Sequence, residues 1–377
     1  LRSWNEWSIC NRRAESMTQV YEQISRRDLM AALSICGRVV PKRALAEVYQ
    51  SVCLATGAAE ATDGELRVSV PIPYDGDPVL LPYTRLEALT RACTGDKLEI
   101  DSKDGQAIIR AGCGRWRLPT ASPAEWPAVD AVEAVPVARI PGDQLRRGLE
   151  GVLDAADSES SRYALGGVRV EVEDGVVHVV ATDGRRLHTC EIEIDQAVDD
   201  CQLLVPARAA TLLAALCRQT DEEVQIERAG EEIRCTWPDS GMWLLCRQLA
   251  GNFPRWRDVI PERPEAIRVV VRADELAQAL RQAAICTSET SKAIELTLGE
   301  VINAAAESTE AGASTVTLDA IEATGTVSVR VDPSYCVAWL RTVDGTEPVT
   351  IEANDASSAL VFRSEDATGV VMPMGVD

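Results

Sequence analysis

The chain has 377 residues, of which 26% are charged and 46% hydrophobic, enough for two or three domains that each bury a core. Its net charge of −21 and pI near 4.6 would, if the charge were evenly spread, argue against a nucleic-acid partner. No apolar run reaches the roughly 18 residues of a membrane span, and the twelve scattered cysteines form no C-x-x-C pair, so neither a membrane protein nor a disulfide framework is expected.

Residues 1–16 show no clean period and are expected to be a poorly ordered extension ahead of Met17. From there the chain repeats itself. A helix with leucines at i, i+4 is predicted at RRDLMAALSIC (Leu29, Leu33), again at GDQLRRGLEGV (Leu145, Leu149) and again at ADELAQALRQA (Leu276, Leu280). That spacing places both leucines of each pair on one helical face. A second helix, entered through an apolar residue and a proline, is predicted from Leu81, from Val205 and from Val331. Proline suits the first turn, where the N–H it lacks would have had no partner.

A hairpin corner also recurs. Ala61-Thr62-Asp63-Gly64 and Ala181-Thr182-Asp183-Gly184 lie 120 residues apart, and the last third keeps Ala323-Thr324-Gly325. Residues 161–194 read as a three-stranded meander. Val168, Val170 and Val172 alternate with charged residues, Asp174-Gly175 supplies a tight turn, and Val176–Val180 and Leu187–Ile194 form the next two strands. His178 and His188, the only two histidines, are expected to be surface residues on this sheet, which leaves a zinc site or a histidine-dependent nucleophile without support. Aromatic–proline loops at Trp126-Pro127 and Phe253-Pro254 close the first two repeats.

The fold class read from these repeats is α+β: three tandem similar domains of antiparallel sheets with two helices each. Linkers at 131–138 and 261–266 divide the chain into 17–135, 136–262 and 263–377. The helical segments carry a net +7, which leaves −28 for the strands and loops. Arginine-bearing solvated helix faces would suffice to explain this. If all helices faced one side, however, they would form a basic lining suited to sequence-independent phosphate contact. No G-x-x-x-x-G-K-[ST] loop, G-x-S-x-G elbow or metal-ligand spacing occurs, so no catalytic residue, metal or cofactor is assigned.

The motifs RYALGGV (162–168), VATDGRRL (180–187), NFPRWRDVIP (252–261), DPSY (332–335) and VVMPM (370–374) together resemble those of the bacterial DNA sliding clamp, the beta subunit of DNA polymerase III. The resemblance covers about 17–377. It implies a non-enzymatic processivity factor of the cytoplasm, a head-to-tail homodimer closed into a ring around double-stranded DNA. It also implies a peptide-binding pocket between the second and third domains for the polymerase III catalytic subunit, the clamp loader and other proteins with a clamp-binding motif. The positions matching that pocket are Leu165, Thr182, Gly184, Arg185, Leu187, Pro254, Val259, Tyr335, Val370, Met372, Pro373 and Met374. Thr182 and Gly184 read equally well as turn residues, since Thr62 and Gly64 occupy the equivalent corner. Arg38, Lys42, Arg43, Tyr163 and Arg208 match DNA-contacting positions, and Trp116 and Ile285 match the dimer seam, although Trp116 also reads as a cross-strand packing residue. Ala164, Arg185 and Gly375 depart from the family pattern and bear on peptide preference. They leave open a specialised paralogue that serves an unusual polymerase. The alternative is a clamp-fold paralogue that acts as a peptide-binding scaffold without encircling DNA, which loss of the basic helix faces would favour and the +7 against −28 partition does not.

Overall fold

The computed structural model describes residues 22–44, 46–128, 134–157, 163–194, 200–261, 265–289 and 291–375. The expected extension over 1–16, along with Arg162 and Val376-Asp377, lies outside them.

One order of elements runs through the chain three times. The first pass is β1 (Glu22–Ser25), α1 (Arg26–Cys36), β2 (Ser51–Ala55), β3 (Ala58–Thr62), β4 (Leu66–Pro71), β5 (Val79–Pro82), α2 (Tyr83–Ala92), β6 (Lys97–Lys103), β7 (Gln106–Ala111) and β8 (Gly114–Pro119). The second is β9 (Val135–Pro141), α3 (Gly142–Leu153), β10 (Gly167–Glu173), β11 (Val176–Thr182), β12 (Arg186–Glu193), β13 (Cys201–Pro206), α4 (Ala207–Cys217), β14 (Glu223–Ala229), β15 (Glu232–Trp237) and β16 (Met242–Arg247). The third is β17 (Ile267–Arg272), α5 (Ala273–Ala283), β18 (Ile294–Leu298), β19 (Val301–Ser308), β20 (Gly312–Asp319), the short extra β21 (Glu322–Ala323), β22 (Val327–Val331), α6 (Pro333–Leu340), β23 (Pro348–Ala353), β24 (Leu360–Arg363) and β25 (Ala367–Val371).

The leucine pairs explain the first helix of each pass, because all six side chains are fully buried. The proline entries differ slightly from expectation. Pro82 and Pro206 end a strand and occupy the N-cap of α2 and α4, whereas Pro333 is the first residue of α6. Asp332 caps α6 by accepting the Ser334 N–H at 2.8 Å.

The described residues form two compact units, one made of those up to Ala61 together with Pro71–Pro127, the other of Thr62–Val70 and those after Pro127. In the first unit β1, β6, β7 and β8 form a four-stranded sheet, and β2 pairs with β3 and β5. In the second unit β4 pairs with β16, which continues through β15 and β14 to β9. A nine-stranded sheet runs β13-β10-β11-β12-β25-β24-β23-β17-β21, and a four-stranded sheet runs β20-β19-β18-β22. The ladders are antiparallel, so one face of each strand can pack against the helices while the other faces outward. Leu276 and Leu280 of α5 and Trp339 of α6 share one core with Val269, Leu296 and Phe362, with the Trp339 and Phe362 rings 5.4 Å apart.

The turn chemistry matches the sequence reading. Asp174 and Gly175 both have positive φ, at 50° and 82°. The histidine expectation is corrected. His188 is fully buried, its Nδ1 lies 3.2 Å from the Gly151 carbonyl, and burial pushes it down to about 4. His178 keeps only 14% of its side chain exposed, with the Trp256 ring 5.5 Å away. Eight of the eleven described cysteines are buried, as expected of small hydrophobes, and burial raises the thiols of Cys36, Cys217 and Cys336 to about 12. Cys113, in the β7–β8 turn, is the exposed exception.

Gly369 of β25 has no room for a side chain, because a Cβ there would lie 2.5 Å from Cδ1 of the buried Trp339. Gly369→Ala is expected to lower unfolding free energy by about 1–3 kcal/mol through overpacking, read by chemical denaturation. Gly151→Ala, whose Cβ would meet only Thr342 at 3.7 Å, serves as the control and is expected to be neutral or stabilising.

Candidate functional site

The end of the β12–β25 ladder gathers most of the residues singled out for peptide docking. Leu187 pairs with Val370 and Arg186 with Val371, so the β11–β12 corner and the C-terminal segment are fixed side by side. Leu187 and Val370 are buried with Val180, Leu204, Phe253, Trp256 and Ala359 in one apolar cluster, against which Ala164 and Ile260 also pack. Leu165, next to Ala164, is buried as well.

The corner itself is held by its own side chains. Thr182 Oγ1 accepts from the Gly184 N–H at 3.1 Å and donates to the Arg186 carbonyl at 2.7 Å, while Asp183 Oδ1 accepts from the Arg185 and Arg186 N–H groups at 2.9 Å. Gly184 has a φ of 85°. The Thr62–Leu66 corner repeats these bonds atom for atom. Thr182 and Gly184 therefore have a structural role common to both corners.

What the second corner adds is the chain laid over it. The Met372 N–H donates to the Arg185 carbonyl at 2.9 Å, and the Met374 N–H to the Arg330 carbonyl of β22 at 2.7 Å. Two backbone hydrogen bonds thus pin the apolar tail between the nine-stranded sheet and the four-stranded one. Met372 keeps 44% of its surface exposed and Val259 43%, Pro254 is exposed, and Pro373 and Met374 are half-buried. The result is an apolar patch of soft and rigid side chains over a packed floor. At its side the Arg186 guanidinium lies 4.5 Å from the Tyr335 ring centroid, and hydrogen bonding with Tyr335 pushes the Arg185 guanidinium still further up. Arg186 also bonds Asp183 Oδ2 at 3.0 Å.

Sequence reasoning took only Pro254 and Val259 from the NFPRWRDVIP loop and missed what holds that loop down. Buried Glu171 of β10 accepts from Arg169 Nε at 2.8 Å, Trp256 Nε1 at 3.2 Å and Arg257 Nη1 at 2.7 Å, while Arg257 Nη2 reaches Glu173 at 2.6 Å. The alternation of β10 gave a signal, since it puts Arg169, Glu171 and Glu173 on one face. Nothing in the alternation showed that the loop would cover them.

The other candidates fall elsewhere. Arg38 follows the C-cap of α1, and Lys42 and Arg43 are exposed in the same loop of the first unit. Arg208, in the other unit, is the second residue of α4 and is exposed but ion-paired with Asp63. Tyr163 opens a short 3₁₀ turn, Tyr163–Gly166, and its side chain is outside the described residues. Trp116 is half-buried on β8, an edge strand, with its ring over Gly114. Ile285 is 75% exposed in the turn after α5. Among the described residues no group of histidine, cysteine or carboxylate side chains could hold a metal ion, and no helix is long and apolar enough to cross a membrane.

A sequence model of the DNA polymerase III beta subunit, central domain, matches residues 139–255. The beta sliding clamp of Pseudomonas aeruginosa is 27% identical over 366 residues, covering 93% of this chain and 98% of its own length. A crystal structure of the DNA polymerase sliding clamp from the same organism superimposes with a TM-score of 0.87 at 25% identity, over 94% of this chain and 99% of that one. A Pseudomonas aeruginosa clamp bound to griselimycin superimposes with a TM-score of 0.88 at 24% identity, over 95% and 100%. Over nearly its whole length the chain is thus similar to bacterial sliding clamps.

Within this clamp fold the Glu171 network is the electrostatic fastening of the site. Burial alone would raise the Glu171 carboxyl, but hydrogen bonds from Arg257, Trp256 and Arg169 outweigh it and hold the group below its ordinary 4.5. Such a group stabilises the folded state above its unfolded pKa, and that contribution is lost as the pH falls through the lowered folded value. Glu171→Gln is therefore expected to lower the melting temperature near pH 7 but to narrow its gap to wild type below pH 4.5, as read in thermal melts from pH 7 to pH 3.

Proposed function

We propose that this protein is a DNA polymerase processivity factor that works without catalysis, as a clamp that encircles duplex DNA and tethers a polymerase through the apolar patch. The observation that carries this reading is the end-to-end match to beta sliding clamps, over 93% of this chain and 98% of the relative. Three clamp domains, 17–135, 136–262 and 263–377, fit the threefold recurrence of one element order. Two copies joined head to tail then supply six.

The seam would join unlike surfaces, β8 of one copy and β20 of the other, since each is the edge strand of a four-stranded sheet. Charge supports that pairing. β8 carries exposed Arg115 and Arg117, whereas β20 ends at exposed Asp319 and begins beside exposed Glu307 and Glu310. Trp116 and Ile285 supply apolar surface at these two places.

Duplex contact would come from helix arginines and from Arg38, Lys42 and Arg43, by phosphate attraction that reads no bases. The patch formed by Val259, Met372 and their neighbours would take an apolar anchor of the polymerase III catalytic subunit, the clamp loader and other docking proteins. Adaptable methionines suit several such partners. The clamp would act in the cytoplasm.

Light scattering is expected to give a dimer mass, and the protein once loaded should stay on circular DNA and run off after linearisation. Equal retention on both forms would mean a scaffold that does not encircle DNA. Met372→Ala combined with Val259→Ala removes two exposed side chains and should leave the dimer mass unchanged. It is expected to weaken binding of griselimycin, the ligand of the Pseudomonas aeruginosa clamp, at least about tenfold. Unchanged binding would place the docking site elsewhere.

A further inference from the structure

Strand pairing carries one register through all three passes. The N-cap residue of each first helix pairs with a neighbouring strand, as Ser25↔Lys97, Pro141↔Glu223 and Arg272↔Pro348. Three residues beyond those partners stand Ile100, Ile226 and Ile351. They pair with Ile109, Cys235 and Phe362, which pair in turn with Trp116, Leu244 and Gly369. Trp116 of β8, Leu244 of β16 and Gly369 of β25 are therefore equivalent positions.

Two of the three already have a partner on a further strand. Leu244 stands opposite Val68 of β4, and Gly369 opposite His188 of β12. Val68 and His188 are equivalent as well, each six residues past the threonine of a corner with the same hydrogen bonds. On β20 that place falls to Ser314. Its Oγ donates to the Ala283 carbonyl at the end of α5 at 2.8 Å, just as His188 Nδ1 lies 3.2 Å from the Gly151 carbonyl in the last turn of α3. β8 and β20 each lie at the edge of a four-stranded sheet.

We propose that β8 of one copy and β20 of a second copy form a third antiparallel ladder in this same register, with Trp116 opposite Ser314, Arg117 opposite Ala313 and Arg115 opposite Thr315. The inference rests on the head-to-tail reading above and adds to it which residues meet. The faces agree. Trp116 pairs with buried Ile109 and Ser314 with buried Ala306, so both turn toward their cores, while Arg115, Arg117, Ala313 and Thr315 are exposed on the other face. A slip of one residue would set Trp116 against an outward side chain. Ile285, 75% exposed and two residues past Ala283, then lies on the Trp116 side. On the outer face Ala313 pairs within its own copy with exposed Glu307. The row therefore reads Arg117, Ala313, Glu307 over three strands spaced about 4.8 Å apart. A methyl group is too short to screen the outer two, and Arg117 reaches Glu307 across the seam. Among the described residues neither has an ion-pair partner in its own chain.

The test uses the full chain with the two accessible thiols near these strands removed, Cys113→Ser and Cys286→Ala. Arg117→Cys with Ala313→Cys sets thiols on opposed residues, whose Cα atoms in such a ladder lie about 5.5 Å apart, within disulfide range. Arg117→Cys with Thr315→Cys is the control on the same face, slipped by two. Under diamide oxidation the first pair is expected to give covalent dimer on non-reducing gels at least about fivefold faster than the control. Arg117→Glu and Glu307→Arg should each raise the dimer dissociation constant about two- to fivefold in sedimentation, and the two together should bring it back. If the slipped pair closes as fast, if neither pair closes in a protein of dimer mass, or if the double charge reversal brings no recovery, the register is overturned and the dimer reading stands. A monomer mass by light scattering removes both.

Discussion

Everything at the candidate site depends on the ladder between β12 and β25. Five residue pairs, from Arg186↔Val371 to Cys190↔Ala367, join strands that lie almost 180 residues apart in the chain into one sheet. Without that ladder Leu187 and Val370 would be separate surface residues. With it they become the floor of a single apolar cluster, and the tail that follows Val371 is delivered onto the Thr182–Arg186 corner. Because pairing has a period of two, a slip by one residue would turn Leu187 and Val370 to the other face and dissolve the site. Gly369 sits inside the ladder because Trp339 needs the space, so the packing of α6 and the register of β25 constrain each other.

The two threonine–aspartate corners separate fold from function. Thr62 and Thr182 make the same hydrogen bonds, and local sequence alone accounts for both. Among the described residues, the second alone is crossed by an apolar tail and flanked by Tyr335. The site thus arises from what a repeated structural unit is placed next to. This explains why Thr182 and Gly184 contribute shape while Val259 and Met372 contribute exposed apolar surface.

Much of this was legible in the sequence for identifiable physical reasons. Leucines at i, i+4 mark a buried helix face wherever they occur, and Asp174-Gly175 marks a tight turn because few other pairs accept two positive φ angles. The histidines were misread because period-two reasoning assumes one solvated face. β12 is buried on both faces from Leu187 to Cys190, with helix α3 on one side and the 253–258 loop on the other, so His188 has no outward direction. Glu171 was invisible for a related reason: its three partners come from one neighbour on its own strand and two residues about 85 positions away, and no local pattern encodes that meeting. Long-range coverage by loops was the part the sequence could not supply.

The helix arginines complete the argument about DNA. The sequence gives the helical segments a surplus of positive charge, but folding spends part of it. Arg91 pairs with Glu87, Arg147 with Asp143, Arg218 with Glu150 and Arg208 with Asp63. Most of these pairs are solvent-exposed and weak, so they dilute the attraction to phosphate without abolishing it. A protein built this way would hold DNA poorly by affinity alone, and an excess of −21 works against it at long range. Weak, position-independent attraction is what sliding along a duplex requires, and in the proposed clamp retention would then come from closure of a ring. On the proposed clamp reading, the charge economy of the helices and the edge strands β8 and β20 are therefore two parts of one requirement: the first would keep the protein mobile on DNA, and the second would provide the surfaces by which it closes around it.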